Sequence, residues 1–541
     1  MLYNSRIRLE RWGKKAWGNS FPTRRGSALI TRPSLIAALP VLVFLALALV
    51  YPLGRIVALG FGEGLQVAFA NPYYWLRLGW SLAYGLGSSL LCIGLALPLA
   101  YAFRYRFFGR DLLLGFSTVP FVLPTIVVAM GFLSLVGPNG LLGLNLYGSP
   151  WVLFWASLLY NLGLVLRPLV ALLPNLQAPL AAARTLGASP LRAYRRVGVP
   201  LLLPALLSGG SLVFLYSFTS FGVPLLLGGP MWATLEVETY NALALRLAFP
   251  EATALVLMQL GVTLVVLLGY LRLQAQWALG LGGYGAPLPL APKTAWMVAA
   301  GVWGFFLVLY SPLWNLLLRA LERPTAWVSV WSNLEFTPGS LALFNTLGFA
   351  GLALLLVLPL GTLYAYAAWR GQRWLDLLGL LPLTISPVAI GLGYLLAYPG
   401  LRGSLAVLIA AYALLSYPLL ARVLLPALQT MPKEVVEAAR VLGAGPWRRW
   451  VRVEWPLVRT AALAGVALAL AAILGEFGAT LTLQRPEWAT LSVAIYERLG
   501  RPGALPFQEA VVLAVVLMGL CMALLTLLER GFEQRRESGG V

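Results

Sequence analysis

The sequence predicts an all-α polytopic membrane protein, with about twelve transmembrane helices arranged as two tandem six-helix halves. Of its 541 residues, 60% are hydrophobic and 11% are charged, whereas soluble domains contain about 25% charged residues. Apolar runs close to the ~20 residues that a helix needs to cross a bilayer recur along the chain. The second half also repeats the first. These three observations together predict the fold class.

The apolar runs place the twelve predicted spans. The first run could be the core of a signal peptide, but it begins only at residue 34 and further spans follow it, so we interpret it as a membrane helix. Cys92 and Cys521 fall inside apolar runs and are predicted to be free, buried thiols. The predicted spans are residues 34–53, 79–103, 112–135, 150–173, 200–222, 250–271, 295–318, 341–368, 376–398, 403–425, 457–480 and 508–528.

The basic residues predict the orientation of these spans. With the N-terminus in the cytoplasm, 30 of the 39 Lys and Arg residues fall in inside segments and nine fall outside, as the positive-inside rule requires. Both termini are therefore expected in the cytoplasm of a multi-pass plasma (inner) membrane protein. The net charge of +20 follows from this distribution, so it does not call for a nucleic-acid partner.

An internal repeat predicts the domain organisation. A constant offset of 256 residues places 181–240 on 437–496 without a gap, and it aligns glycines, prolines and arginines as well as the sequence Trp-Ala-Thr-Leu. A duplicated six-helix unit gives two halves with the same orientation. The predicted divisions are a basic N-terminal arm (1–33), a first membrane domain (34–271), a cytoplasmic linker (272–293), a second membrane domain (294–530) and a cytoplasmic tail (531–541).

Residues 181–200 and 437–456, which we call the motif loops, have the same pattern in both halves. The second loop reads Glu-Ala-Ala, then a glycine, Gly443, and then several arginines before Pro456. This predicts a short helix, a break at Gly443 in the left-handed conformation, a second short helix, and a membrane span that begins at Pro456. A basic loop held at anionic lipid headgroups is the alternative, but the duplication at a fixed offset favours docking of a partner protein.

The motif loops resemble the "EAA" coupling motif of binding-protein-dependent ABC importer permeases, and the two-in-one chain is similar to the fused permeases of ferric-iron and thiamine importers. This resemblance implies the type I ABC importer fold, a solute-binding protein on the outer face, and two copies of a cytoplasmic ATPase subunit that bind ATP and Mg²⁺. The first loop departs from the motif, with Ala181 at the glutamate position. The implied ATPase-docking residues are Ala181, Ala182, Ala183, Gly187, Glu437, Ala438, Ala439 and Gly443.

The sequence contains features that argue against an enzyme. No G-x-x-x-x-G-K-[ST] loop occurs, so ATP hydrolysis is expected from a separate subunit and this chain is expected to bind no cofactor. The chain also lacks histidine, which is the commonest zinc ligand and the commonest general acid–base group. We therefore predict no catalytic residues and no metal site.

Glu476 is the clearest candidate for the solute pathway, because an ionisable group deep in a membrane is a functional candidate by default. Its repeat mate is Ser220, and the alternative interpretation is an anchor at the outer interface that pairs with an arginine such as Arg485. Two proline pairs, 120/124 and 382/387, interrupt the third span of each half and are further pathway candidates.

The solute class remains open at this point. Ferric iron, which favours oxygen ligands, is the expected solute. Thiamine, a cation that can rest on aromatic faces, is the alternative. A twelve-helix secondary transporter is the rival class, although it would not need duplicated cytoplasmic loops.

Overall fold

The computed structural model describes residues 32–276, 287–369, 381–483 and 485–538, and within these ranges the regular elements are helices without a β-strand. Most of the predicted N-terminal arm lies outside the described residues, as do 277–286 of the linker and 539–541 of the tail.

The first half contains α1 (Ala37–Gly62), α2 (Pro72–Phe103), α3 (Arg110–Val122), α4 (Thr125–Val136), α5 (Pro150–Leu172), α6 (Gln177–Thr185), α7 (Pro190–Phe218), α8 (Gly222–Leu227), α9 (Leu235–Tyr240) and α10 (Phe249–Gln276). The second half contains α11 (Pro292–Ala320), α12 (Pro324–Ser329), α13 (Gly339–Trp369), α14 (Pro387–Ala397), α15 (Leu405–Gln429), α16 (Lys433–Val441), α17 (Pro446–Leu474), α18 (Gly478–Leu483), α19 (Leu491–Leu499) and α20 (Ala504–Ser538).

The number of membrane-crossing helices agrees with the predicted fold class. Among the described residues, ten helices are long and apolar enough to cross a bilayer, and the bent pair α3 and α4 makes an eleventh. The ninth predicted span, 376–398, lies partly outside the described residues, and its described part is the short apolar helix α14.

The repeat is visible in the helix bounds themselves. Adding 256 to the first and last residues of α6, α7 and α8 gives the bounds of α16, α17 and α18 without any adjustment. The duplicated sequence therefore folds into duplicated structure, from the motif loop through to the segment beyond the following membrane helix.

The two halves interlock through their first helices. α1 packs on α13 and α14 of the second half, and α11 packs on α4 of the first half. A Cβ on Gly131 of α4 would lie 2.8 Å from the carbonyl oxygen of Pro312, and a Cβ on Gly393 of α14 would lie 3.0 Å from Cβ of Pro52. Glycine thus permits the close helix approach that stabilises association inside a membrane.

The third span of each half is broken where the prolines occur. α3 and α4 meet at an angle of 105°, so the predicted interruption of the span at 112–135 is confirmed. In the second half, a short 3₁₀ helix (Leu381–Thr384) precedes α14, which starts at Pro387. Proline lacks the backbone N–H that a helix interior needs, and in the first half the chain turns sharply at this point.

The membrane helices after the motif loops begin earlier than predicted. α17 runs without interruption from Pro446 and includes Pro456, and α7 runs from Pro190 and includes Pro200. In each helix a turn of π-helix, at 450–454 and 194–198 respectively, comes just before the second proline. The prediction that a new helix begins at Pro456 is therefore wrong, because the wider π turn lets the chain continue through it.

Candidate functional site

A cavity of about 340 Å³ lies between the two halves, within the lower part of the size range of small-molecule sites, ~300–1,000 Å³. Both broken spans reach it, as do α5 and α15 and the segments that link α7 to α8 and α17 to α18. Its lining includes Tyr84, Phe121, Pro124, Thr125, Ser157, Tyr160, Asn161, Tyr216, Ser217, Ser220, Phe221, Gly222, Pro382, Ser386, Pro387, Ser416, Glu476, Phe477 and Gly478.

Three of the four predicted pathway prolines line this cavity. Pro124, Pro382 and Pro387 contribute to the wall, whereas Pro120 does not. The break at each proline replaces a straight helix by two segments, which leaves space near the centre of the bundle. The sequence prediction that these prolines interrupt the third spans thus corresponds to the place where the cavity forms.

Glu476 is the single acidic or basic side chain among the described residues that line the cavity. It follows α17 and precedes α18, and its carboxylate Oε1 accepts a hydrogen bond of 2.9 Å from the backbone N–H of Ala479. Its backbone carbonyl accepts a 3.0 Å bond from Thr480, whose hydroxyl lies 2.6 Å from that of Tyr412. The Ala479 N–H therefore holds the side chain at the cavity wall, and Thr480 and Tyr412 hold the backbone of Glu476.

The structure does not place Glu476 beside Arg485. Arg485 forms an ion pair of 3.6 Å with Glu487 and stacks over the ring of Trp488. The interpretation of Glu476 as an interfacial anchor for Arg485 is therefore wrong. Ser220, the repeat mate of Glu476, also lines the cavity, so the two halves present a carboxylate and a hydroxyl at equivalent positions.

Two phenylalanines related by the repeat meet at one end of the cavity. The rings of Phe221 and Phe477 stack with their centroids 5.7 Å apart. Each also packs edge-on against a tyrosine of its own half, Tyr240 at 5.3 Å and Tyr496 at 5.6 Å. We call these four residues the aromatic plug.

The aromatic plug lies beside the ends of α7 and α17 that are remote from the motif loops. α7 and α17 each start in a motif loop and end just before the plug residues, and a helix of that length extends about 43 Å. Two glycines permit the close packing there. A Cβ on Gly222 would lie 2.4 Å from the hydroxyl of Thr125, and a Cβ on Gly478 would lie 3.2 Å from the ring of Phe221.

The remaining wall combines aromatic faces with hydroxyl and amide groups. The ring of Tyr216 packs edge-on against Phe121 at 5.3 Å. Ser157 and Ser217 lie 2.9 Å apart, and the Asn161 amide donates to Ser157 at 3.2 Å. Aromatic faces attract cations, especially where water is excluded. A carboxylate, aromatic faces and neutral polar groups together suit an organic cation.

Glu236 is a carboxylate near the cavity that the sequence interpretation missed. It lies on α9, is fully buried, and accepts a 2.8 Å hydrogen bond from the Gln259 amide. Ser386 of the cavity wall lies next to it. The sequence does not single it out, because every glutamate in the duplicated segment lacks an acidic repeat mate and residue 236 lies outside the predicted spans.

The motif loops have the predicted local geometry. Gly187 and Gly443 have φ angles of +83° and +78°, in the left-handed region that glycine adopts without strain. Leu186 and Leu442 are 88% and 85% exposed. Among the residues implied to dock the ATPase, Ala439 is buried against its own chain and Ala183 is half-buried. The exposed ones are Ala181, Ala182, Gly187, Glu437, Ala438 and Gly443.

Two halves with a parallel repeat, a shared intramembrane cavity and a pair of exposed motif loops define this chain as a membrane transport permease. It belongs to the family described as binding-protein-dependent transport system inner membrane component, whose model matches residues 91–278 and 357–538. The chain is thus a fused two-domain permease of a type I ABC transport system, as the sequence resemblance implied.

Several relatives are similar to this chain over most of its length. The thiamine transport system permease protein ThiP of Brucella abortus (strain 2308) is 28% identical, covering 93% of this chain and 97% of the relative. The protein of the same name from Haemophilus influenzae is 28% identical, covering 87% and 91%. The Escherichia coli (strain K12) protein of that name is 26% identical, covering 85% and 89%.

Proposed function

We propose that this chain is the permease of a thiamine importer. A binding protein delivers thiamine to the face that bears the aromatic plug, and the cavity between the halves receives it. The observation that carries this proposal is Glu476 as the one charged side chain among the described residues of a cavity wall that otherwise combines aromatic, aliphatic and neutral polar groups. The three relatives described above carry thiamine transport in their names.

Thiamine is better supported than ferric iron, which was the first expectation from the sequence. A hard trivalent ion favours several oxygen ligands, whereas Glu476 is the one carboxylate among the described residues of the cavity wall. Thiamine carries a single positive charge on an aromatic ring. One carboxylate together with the aromatic rings of Tyr160 and Tyr216 matches that chemistry through charge attraction and cation–π contact.

ATP hydrolysis is proposed to come from two copies of a cytoplasmic ATPase subunit, one on each motif loop, with ATP and Mg²⁺ bound by those subunits. The loops expose large apolar side chains, Leu186 and Leu442 above all, and uncovered apolar groups of this size mark interaction surfaces. This arrangement places both termini of the permease in the cytoplasm. The second loop has Glu437 where the first has Ala181, so the two docking contacts differ in charge.

The experiment is reconstitution of the permease in proteoliposomes with the ATPase and the solute-binding protein of the same transport system. ATP-dependent uptake of labelled thiamine, with no uptake of ferric iron, is the expected result. Uptake of iron alone would overturn the thiamine proposal. Uptake driven by an ion gradient without ATP would instead favour the secondary-transporter class. The mass of the intact complex should correspond to two ATPase copies for each permease chain.

A further inference from the structure

Two acids and two serines occupy equivalent positions in the halves, in opposite order. The offset of 256 pairs Ser220 with Glu476 and Glu236 with Ser492. The first half therefore has serine and then glutamate, and the second half has glutamate and then serine. Each half thus contributes one acid, Glu236 or Glu476. The two acids could lie on opposite sides of the pseudo-two-fold axis or on the same side, and the packing between the halves decides which.

The structure brings the two acids near each other: Glu236 lies against the start of α14, and Glu476 lies between the starts of α14 and α4, since its neighbour Gly475 packs on Pro124. Glu236 lies next to Ser386 and Val388, although α9 belongs to the other half. Gly478, two residues beyond Glu476, packs on Pro387 and on the side chain of Val388. We call this side of the cavity, formed by both acids and the start of α14, the acid side.

The equivalent elements on the other side of the axis carry hydroxyl groups. α19, which contains Ser492, packs on α4, and Gly222, two residues beyond Ser220, packs on the hydroxyl of Thr125 at the start of α4. Ser220 and Thr125 both line the cavity. We call this the hydroxyl side.

The acids of the acid side have no cationic partner among the described residues, unlike the other buried acids. A carboxylate in a membrane is costly unless it is paired or used. Glu236 is fully buried, and its Oε1 has no hydrogen-bond partner. The other buried acids form ion pairs with arginines: Glu238 with Arg246 at 2.7 Å, Glu454 with Arg449 at 2.8 Å, and Glu509 with Arg498 at 3.0 Å.

We infer that the cavity holds an organic cation in one orientation, with its positive charge toward the acid side and its uncharged hydrogen-bonding end toward the hydroxyl side. This rests on the proposed function. Glu476 touches the solute, while Glu236 acts from behind Ser386 as a positioning residue. Because Glu236 does not line the cavity, its contribution is attraction over several ångströms, which a low dielectric makes strong.

The test moves the second acid across the axis without changing the total charge. Glu236→Ser combined with Ser492→Glu splits the acid pair. In the reconstituted complex, the swapped protein should raise the KM for thiamine about tenfold, the effect expected of a unit charge at an intermediate dielectric. Glu236→Gln should have a similar effect, and Glu236→Asp, which keeps the charge, should retain a KM within about threefold of the parent.

Each outcome decides the inference. If the swapped protein keeps the parental KM while Glu236→Gln raises it, total charge matters but side does not, and the orientation is overturned. If the swapped protein does not fold, the comparison of Gln with Asp still decides, because equal KM values for these two variants would show that the charge at 236 has no role. A parent complex that takes up no thiamine would overturn the proposed function itself. Normal parental uptake with unaffected variants would overturn only this inference.

Discussion

The ring of Phe221 stacks on that of Phe477 at 5.7 Å between centroids and 29° between planes. The two residues are repeat mates, so this contact lies where the two halves meet. Tyr240 and Tyr496 each pack edge-on against the phenylalanine of their own half. The plug therefore depends on both halves at once, and a movement that separates the halves at this end would break the stack and open the cavity.

Truncating the plug should open the far end of the cavity. With Ser220→Cys as a reporter in the cavity wall, Phe221→Ala and Phe477→Ala should each raise labelling by a membrane-impermeant maleimide added on the binding-protein side. We expect about a two- to tenfold rise, since an aromatic pair contributes about 0.5–1.5 kcal/mol beyond its buried area. The native thiols, Cys92 and Cys521, are fully buried and should contribute little background.

The control for the plug variants is Tyr240→Phe, which keeps the ring that packs on Phe221 at 5.3 Å. Its labelling rate should match that of the reporter alone. If the Ser220→Cys reporter is labelled at the same rate with and without each alanine substitution, groups other than the aromatic plug close this end of the cavity.

The left-handed glycine of the second motif loop should be essential for coupling. Gly443→Leu should impair thiamine-stimulated ATP hydrolysis while membrane insertion stays normal. No atom lies within 4 Å of a Cβ built at Gly443, so crowding is not the cause. The cost is backbone strain of about 1–2 kcal/mol at a φ of +78°, which shifts the loop away from its docked shape. Gly187→Leu should act in the same way on the first loop.

Two matched variants separate backbone strain from side-chain size. Gly443→Asn should retain more coupling than Gly443→Leu, because asparagine tolerates the left-handed conformation. Gly445 also has open space around it, but its φ is −62°, so Gly445→Leu should be tolerated. ATPase assays on the four proteins check this, and equal activity in Gly443→Leu and Gly445→Leu would contradict it.

The repeat explains how much of the architecture the sequence predicts. A constant offset fixes equivalent elements, so the pattern at 181–240 and 437–496 is enough to locate corresponding helices and both motif loops. The left-handed turn at Gly443 could also be predicted, because it depends on the glycine itself and not on contacts with distant residues. Glu476 could be recognised as a candidate because the sequence alone shows a charged residue within an apolar segment.

Contacts between the halves could not be predicted in the same way. Glu236 approaches the cavity only because α9 of one half packs on α14 of the other, and no spacing in the sequence contains that relationship. The π turn before Pro456, through which α17 continues, was not predicted either. Residue type marks where a helix can break, but tertiary contacts decide whether it does.

A buried hydrogen bond between the halves should stabilise their interlocked arrangement. The Asn315 amide of α11 donates at 2.9 Å to the Ser134 hydroxyl of α4, and both side chains are buried. Asn315→Ala and Ser134→Ala should each lower the melting temperature. Their coupling in a double-mutant cycle should be about 0.6 kcal/mol, the typical value for such bonds in membranes. Strictly additive effects in thermal unfolding would show that this bond does not hold the halves together.

Glu476→Gln should weaken thiamine transport without disturbing the fold. A glutamine at this position keeps an oxygen that can accept the 2.9 Å bond from the Ala479 N–H, so the start of α18 stays capped. What disappears is the negative charge on the cavity wall, and the KM for thiamine should rise about tenfold because the charge acts in a low dielectric. Ser220→Ala removes the equivalent hydroxyl but no charge, and its KM should stay within about threefold of the parent. Uptake assays on variants whose melting temperatures equal that of the parent separate the loss of the charge from the loss of the hydroxyl. If Glu476→Gln transports thiamine with the parental KM, the carboxylate serves only as a helix cap, and the attraction of a cation to this wall would have to come from the aromatic faces alone.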